Sequence, residues 1–133
     1  MPSDDEKPNA GLTPHQVGNI GERLARSHLE AKGYHIVDAN YRCRWGEIDL
    51  IARYGPVWVF VEVRTRRGDA YGTPEESVTE SKAKRLVLTA QDYLRRQTAA
   101  SSEAQWRIDL IAIRLGKGRR VLDLRHLENI VEG

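Results

Sequence analysis

Cysteine is almost absent from this 133-residue sequence, in which Cys43 is the only one. A lone cysteine excludes an internal disulfide and a cysteine-rich zinc site. The sequence also lacks any apolar run near the ~18 residues that a membrane-spanning helix needs. Its start, MPSDDEKPNAG, is acidic where a secretion signal would be basic, and no apolar stretch follows. Together these absences predict a soluble protein of the reducing cytoplasm with no membrane partner.

The length is typical of one globular domain, since such domains cluster around ~100–150 residues. Residues 1–12 are almost devoid of apolar side chains, so we expect a disordered N-terminal tail there and a single folded domain over residues 13–133. The formal net charge of +2 says little about partners. The cations are clustered, however, and such clusters are typical of phosphate contacts as well as of solvated faces.

The first helix is predicted from its capping residues. Thr13 as N-cap, Pro14 at the first helical position and Gln16 three residues after the cap form a helix-start pattern. The apolar stripe continues to about Lys32, and Gly33 ends the helix. We therefore expect a long helix before the first strand.

Five segments have the alternating or continuously apolar pattern of strands: residues 34–41, 47–52, 57–65, 106–115 and 119–124. Residues 53–56 are Arg-Tyr-Gly-Pro and predict a four-residue hairpin turn, which would pair Ala52 with Val57. Residues 116–118 would connect the last two strands. The predicted order is helix, three strands, helix and strand, followed by one further strand.

Carboxylates gather on one face of the second and third strands. In the predicted register Asp49 lies opposite Phe60, and Glu47 lies opposite Glu62. Because side chains alternate between the faces of a sheet, Glu47, Asp49, Glu62 and Arg64 emerge on the same side. Asp49 and Glu62 become diagonal neighbours at roughly 7–8 Å between backbones, close enough for both to bind one ion.

The strand around Glu62 has the sequence VWVFVEV, an apolar run typical of a central strand covered on both faces. A carboxylate there must pair with a cation, take up a proton or bind a metal. A divalent cation such as Mg²⁺ or Mn²⁺, which takes oxygen ligands, would balance three neighbouring carboxylates. The alternative is a salt-bridge cluster in which the carboxylates are neutralised by Arg42, Arg44 and Arg64. From spacing alone both interpretations stay open.

A second capping box, Ser77 and Glu80, predicts a helix that runs to about Gln97. Its apolar stripe repeats at intervals of four and comprises Lys82, Leu86, Ala90 and Leu94. Lys82 is the charged member of this stripe. It either snorkels from the edge of the buried face or reaches toward the acidic patch.

Five segments resemble the YraN family of bacterial proteins: NIGERLARSHLEAKGY, GEIDLIA, VFVEVRTR, SVTESKAKRL and WRIDLIAI. The resemblance extends from about Gly18 to Arg125. The family is similar to archaeal Holliday junction resolvases and to the restriction-endonuclease-like superfamily. The resemblance therefore implies an α/β restriction-endonuclease-like fold with a mixed central sheet. It also implies a site in which a helix glutamate, a strand aspartate and a Glu-x-Lys motif bind magnesium and phosphodiesters are cut.

Carried over position by position, the resemblance assigns Glu22, Asp49 and Glu62 as metal ligands and catalytic residues. Arg64 stands at the lysine position of the Glu-x-Lys motif. An arginine stays charged and cannot help to deprotonate water as a lysine can, although it can orient water or stabilise the transition state. Lys82, on the inward stripe of its helix, is the candidate for a migrated catalytic lysine.

The expected partner is DNA, with Arg66, Arg67, Lys84 and Arg85 as the predicted nucleic-acid contacts. The leading interpretation is a metal-dependent endonuclease, with branched or otherwise structured DNA among its candidate substrates. The alternative, for which Arg64 is the best argument, is a non-cleaving nucleic-acid-binding module with a degenerate site. A third interpretation is a protein-interaction domain that keeps only the fold. The sequence leaves open whether the chain forms a homodimer.

Other notable residues are predicted to be structural. Asp109 is expected to pair with Arg107 or Arg114, and Trp45 and Trp58 are expected to lie in the core. The four histidines lack the spacing of metal ligands. None of these residues is therefore assigned to the site.

Overall fold

The computed structural model describes residues 11–68, 77–97 and 103–131. The elements in chain order are α1 (Pro14–Ala31), β1 (His35–Cys43), β2 (Gly46–Tyr54), β3 (Val57–Arg67), α2 (Glu80–Arg96), β4 (Trp106–Leu115) and β5 (Val121–Leu127). Most of the predicted N-terminal tail, residues 1–10, lies outside the described ranges. Neither helix is long and apolar enough to cross a membrane.

The five strands form one mixed sheet in the order β1-β2-β3-β4-β5. Neighbouring strands are antiparallel except β3 and β4, which are parallel. Short turns join antiparallel neighbours, whereas parallel strands need a crossover, and α2 provides it between β3 and β4. The mixed α/β architecture predicted from the sequence is confirmed and is consistent with a restriction-endonuclease-like core.

The two helices cover opposite faces of the sheet. Leu50 and Val61 belong to the core cluster that includes α1, and their neighbours Ile51 and Phe60 belong to the cluster that includes α2. The alternation of side chains along β2 and β3 therefore gives each strand an α1 face and an α2 face. Both faces are buried, which explains why the sequence of β3 is almost continuously apolar.

The predicted ends of α1 are confirmed. The Thr13 side chain accepts a hydrogen bond from the Gln16 N–H, and the Gln16 side chain accepts one from the Thr13 N–H. At the other end Lys32 is the C-cap, and Gly33 has a φ of 91°, a conformation that favours glycine. Local sequence thus determines both ends of this helix.

Two other predicted boundaries were wrong. The N-cap of α2 is Thr79, whose hydroxyl accepts a hydrogen bond from the Lys82 N–H at 3.1 Å, so Ser77 does not start the helix. The last strand begins at Val121 because the turn before it takes up residues 117–119, with positive φ at Gly118 and Arg119. In both cases a turn that the sequence pattern did not predict precedes the element, which begins two residues later than predicted.

The predicted register of the β2–β3 hairpin was also wrong. Tyr54 pairs with Val57, so the turn contains only residues 55 and 56. Gly55 has a φ of 58° and allows this tighter turn. The register is therefore shifted by two residues from the predicted one, with Ile51 opposite Phe60. A shift of two preserves the predicted faces, which Leu50, Ile51 and Ala52 follow, but Ile48 packs in the same cluster as Ile51, so strict alternation ends near Asp49.

Candidate active site

An acidic cleft of about 230 Å³ opens on the α2 face of the sheet, and its walls are Gly46, Glu47, Asp49, Glu62, Lys82, Arg85 and Leu86. It forms because the β2–β3 ladder ends at the pair Leu50–Val61, next to the carboxylates. Beyond the end of the ladder the carboxyl groups of Asp49 and Glu62 are close enough to hydrogen-bond to each other. The first turns of α2 form the remaining wall.

Asp49 is the central acid of the cleft. Its Oδ2 accepts a hydrogen bond from the Val63 N–H at 2.7 Å, in place of a backbone partner at the end of the ladder. Burial is the main cause that raises the pKa of Asp49 from 3.8 to about 8. The hydrogen bond to Glu62 and the charge of Glu62 raise it further, whereas the Val63 N–H lowers it. The two carboxyl groups therefore do not readily carry full charge together.

Glu62 is paired with a lysine from the opposing helix. The Nζ of Lys82 lies 2.9 Å from Oε2 of Glu62, and their side chains are only 27% and 10% exposed. The predicted inward position of Lys82 is thereby confirmed, and it reaches the acidic patch rather than snorkelling to the surface. A partly buried, charge-assisted hydrogen bond holds both side chains in a defined orientation.

The salt-bridge interpretation holds for part of the patch only. Arg42 Nε lies 3.2 Å from Glu47 Oε2, and both side chains are well exposed. Glu62 is paired with Lys82, which the salt-bridge interpretation did not include. Asp49 has no cationic partner within residues 11–68, 77–97 and 103–131. Asp49 is thus not neutralised by an arginine.

Two predicted site residues do not line the acidic cleft. Glu22 lies on α1 and borders a separate cleft, where its Oε1 accepts a hydrogen bond from Nδ2 of Asn40 at 3.1 Å. Arg64 follows Glu62 on the same face of β3 but is half-buried beyond the cleft. Among the described residues, no three acidic, histidine or cysteine side chains are arranged to hold one metal ion. The structure therefore brings together Asp49, Glu62 and Lys82 only.

The predicted nucleic-acid contacts are spread over two elements. Arg85 lines the acidic cleft, and Lys84 is exposed beside it on α2. Arg66 and Arg67 lie at the end of β3, where an Nη atom of Arg67 donates to the carbonyl of Leu12 at 3.3 Å. Only Arg85 is thus next to the carboxylates.

A second buried polar cluster lies on the α1 face, around Asp109. This fully buried carboxylate binds Arg107 at 3.0 Å, His126 Nε2 at 2.8 Å and the Asn129 N–H at 2.9 Å. Burial opposes its ionisation, but these hydrogen bonds keep the pKa of Asp109 below its usual value. The predicted pairing with Arg107 is confirmed. The sequence did not indicate His126, because Asp109 and His126 meet only through the β4–β5 pairing.

The donor set of the acidic cleft fits a divalent cation. Asp49 and Glu62 offer carboxylate oxygens, which Mg²⁺ and Mn²⁺ prefer, and two protein carboxylates with several waters are a usual magnesium arrangement. The raised pKa of Asp49 reflects its burial first and the proximity of Glu62 second. A cation between them would remove that repulsion.

The residues that form this cleft fall within a recognised family match. The model of the uncharacterised protein family UPF0102 matches residues 21–113, which extend from α1 through β4. The chain belongs to the UPF0102 family. This is the YraN family that the sequence motifs indicated. The match covers Asp49, Glu62 and Lys82 together, so the acidic cleft lies inside the family region.

UPF0102 relatives from several bacteria align over most of their length. A UPF0102 protein of Rhodococcus opacus is 48% identical over 102 residues, which cover 77% of this chain and 85% of the relative. One from Pelotomaculum thermopropionicum is 43% identical over 113 residues, covering 85% and 92%. One from Symbiobacterium thermophilum is 47% identical over 106 residues, covering 80% and 88%. The alignments therefore cover 85% to 92% of these relatives' chains.

Proposed function

We propose that this UPF0102 protein is a divalent-metal-dependent endonuclease that hydrolyses phosphodiester bonds in DNA. The observation that carries the proposal is the juxtaposition of Asp49 and Glu62 in an open cleft, with the ammonium group of Lys82 on Glu62. Two carboxylates that repel each other cost stability unless they serve a ligand, and a functional site is where such a cost persists.

Each residue of the cleft has a role that follows from its position. Asp49 and Glu62 would hold the cation, Asp49 with its second oxygen already fixed by the Val63 N–H. A divalent cation held there would supply the Lewis acidity and charge neutralisation that phosphodiester hydrolysis needs. Lys82 is close enough to contact a phosphate oxygen or the attacking water beside Glu62. Arg85, on the same wall, would contact a neighbouring phosphate.

Lys82 can also replace the lysine that is missing at position 64, where the chain has an arginine. In the Glu-x-Lys pattern a lysine two residues after the glutamate places an amine beside the carboxylates. Here the amine comes from α2 instead, because Lys82 lies on the inward stripe of that helix and reaches Glu62 at 2.9 Å. We propose Lys82 as the migrated lysine, and it acts only if the substrate lies across the α2 face.

A non-cleaving DNA-binding module is the second candidate function. Two observations favour it: Arg64 occupies the lysine position, and Glu22 borders a different cleft from Asp49 and Glu62. The site then has two carboxylates where the resemblance implies three. The two candidates make opposite predictions for turnover and the same prediction for binding.

The decisive experiment incubates the purified full-length protein with supercoiled, linear, single-stranded and four-way-junction DNA in Mg²⁺, in Mn²⁺ and in a chelator. The proposal expects cleavage that requires the cation and is lost in Asp49→Asn and Glu62→Gln. Lys82→Met should reduce cleavage by at least ~100-fold while calorimetric Mg²⁺ binding persists, because a positioned proton-transfer group contributes about that much or more. Asp123→Asn is the matched control, since this carboxylate of β5 pairs with Arg125 outside the acidic cleft and should tolerate the change.

The results separate the candidates clearly. DNA binding without cleavage of any substrate in either metal would replace the nuclease with the binding module. Cleavage that persists in Asp49→Asn and Glu62→Gln would reject the acidic cleft as the site. Magnesium affinity unchanged by both substitutions, in proteins that remain folded, would reject the metal centre itself.

A further inference from the structure

A second cleft, of about 430 Å³, lies beside the acidic one and is rich in arginine. We call it the arginine cleft and define it by Arg42, Arg44, Trp45, Asp92, Arg95 and Arg96. The first three residues belong to the end of β1 and the turn to β2, and the others to the last turns of α2. It is thus built where the β1–β2 hairpin meets the C-terminal half of α2.

Cations predominate in the walls of this cleft. It contains four arginines and a single carboxylate, Asp92. The last-turn arginines of α2 also complement the negative end of the helix dipole, which is a sufficient structural reason for Arg95 and Arg96. Arg42 and Arg44 come from the β1–β2 hairpin instead: Arg42 is paired with Glu47 but its side chain is 77% exposed, and Arg44 has no carboxylate partner among the ion pairs of the described residues. Convergence of guanidinium groups from two elements on one concave surface suits an anionic ligand.

Asp92 orders the two α2 arginines of the cleft and offsets part of their charge, so the four arginines still exceed it. Its Oδ2 accepts hydrogen bonds from the Tyr41 hydroxyl and from Arg96 Nε at 3.0 Å, and Arg95 lies at 3.5 Å from Oδ1. The hydrogen bond from Tyr41 is the main reason that the pKa of Asp92 is lowered, so this carboxylate stays ionised. The side chains of Arg95 and Arg96 remain 67% and 68% exposed, so their other donors face solvent.

Trp45 gives the cleft a flat aromatic element. The guanidinium of Arg44 lies 4.3 Å from the centre of the Trp45 ring, and the indole is only partly buried. In contrast, Trp58 is 8% exposed and packs inside the α2-side core, as predicted. An accessible indole stacked with arginine is typical of surfaces that bind unpaired bases, because every base offers a π face. The expected core position of Trp45 was therefore wrong.

The two clefts have no lining residue in common, but the same two parts of the chain, the β1–β2 hairpin and α2, contribute to both. Trp45 is followed directly by Gly46 and Glu47, which line the acidic cleft. Along α2, Arg85 and Arg95 are ten residues apart, or about 15 Å at ~1.5 Å per residue. That distance matches about four nucleotides at the ~3.4 Å spacing of a stacked strand. One DNA strand can therefore span both clefts.

We propose that the arginine cleft binds an unpaired segment of the DNA strand that enters the acidic cleft, with an unpaired base stacked on Trp45 and phosphates on Arg42, Arg44, Arg95 and Arg96. The inference rests on the proposed function and narrows it to DNA with a single-stranded segment about four nucleotides from the reacting phosphate. Such segments occur in single strands, flaps and splayed junctions, and blunt duplex lacks them.

The test uses binding in a chelator, so that it does not depend on cleavage. Two signals report directly on this cleft. Trp45 should be quenched when a base stacks on it, whereas Trp58 is shielded in the core; Trp106 is partly buried, so the Trp45 signal is the part of the quenching that Trp45→Ala removes. Cys43 is the only cysteine of the chain and lines the cleft, so its reaction with a thiol reagent should slow when the cleft is filled. The probes are a 10-nucleotide single strand, a blunt duplex of that length, and polyglutamate of similar charge.

The expected result is quenching and Cys43 protection by the single strand at lower concentration than by the duplex. Trp45→Ala should weaken single-strand binding by roughly 5- to 100-fold, the effect of losing one stacked base. Arg44→Ala/Arg96→Ala should reduce the dependence of log affinity on log salt by about 0.7 for each lost phosphate contact. The matched control is Lys117→Ala/Arg120→Ala, which removes two exposed cations at the β4–β5 turn and should leave both signals unchanged.

Three outcomes would overturn the inference: equal binding of duplex and single strand, equal Cys43 protection by polyglutamate, or unchanged affinity in folded Trp45→Ala and Arg44→Ala/Arg96→Ala. If any of these occurs while metal-dependent cleavage requires Asp49, the proposed function stands and the arginine cleft is excluded from it. If wild-type protein cleaves nothing but the single strand still quenches Trp45, the nuclease proposal fails and the binding site stands.

Discussion

Replacing Asp49 by asparagine should stabilise the metal-free protein at high pH. In the folded wild type the pKa of Asp49 is raised from 3.8 to about 8, mainly by burial and then by Glu62. Between those values the folded chain binds a proton that the unfolded chain does not, so stability falls as pH rises from about 4 to about 8. Asparagine cannot ionise, so the Asp49→Asn protein does not lose stability in this way as the pH rises. Its amide can also keep both contacts, accepting from the Val63 N–H and donating to Glu62.

The structure bounds the size of this effect. A rise from 3.8 to about 8 corresponds to about 6 kcal/mol when each pKa unit contributes ~1.4 kcal/mol. This figure is an upper limit, because the cleft is open to water and Lys82 lies beside Glu62. We therefore expect Asp49→Asn to be more stable than wild type by about 1–3 kcal/mol at pH 8 and above, with the difference shrinking toward zero near pH 4.

The assay is urea unfolding of the full chain from pH 4 to pH 9 in a chelator, with Glu47→Gln as the exposed-carboxylate control that should change stability by less than ~1 kcal/mol. The same series with Mg²⁺ should reverse the order, because a cation bound only by the folded wild type adds to its stability. A stability difference that does not vary with pH, or an Asp49→Asn protein less stable than wild type at pH 8, would refute the reasoning.

Two further predictions concern the α1 face. Gly21→Ala should destabilise the protein by about 1–3 kcal/mol in thermal unfolding, because the added Cβ would lie 2.8 Å from Cβ of Thr65. Gly18→Ala meets nothing within 4 Å and should stabilise the protein by up to ~1 kcal/mol. If both substitutions changed stability in the same direction, this packing would be contradicted. Asp109→Asn should cost about 1–3 kcal/mol at pH 7 in urea unfolding, because half-buried Arg107 keeps Glu128 but loses its charged hydrogen bonds to Asp109. Since the folded pKa of Asp109 is lowered, this contribution is present at neutral pH and is lost only below the usual value of 3.8, and exposed Asp123→Asn is the control.

The sequence by itself predicted what depends on local periodicity. The caps of α1, the inward stripe of α2 and the faces of β2 and β3 follow from the sequence because helical and strand periodicities need no distant partner. For the same reason Asp49 and Glu62 were placed on one face correctly although their register was wrong by two residues. The family motifs added the identity of the family, which the comparisons confirm.

Tertiary structure alone decided which residues meet. It placed Lys82 of α2 on Glu62, left Glu22 beside a different cleft and joined the β1–β2 turn to the end of α2. It also brought His126 to Asp109 across the β4–β5 pair. These contacts depend on the lengths of the turns and on how the two helices pack on opposite faces of the sheet. Small changes in either would move a whole element by several ångströms. A sequence pattern shows which face of a helix or strand is buried, but it does not give the distances between elements.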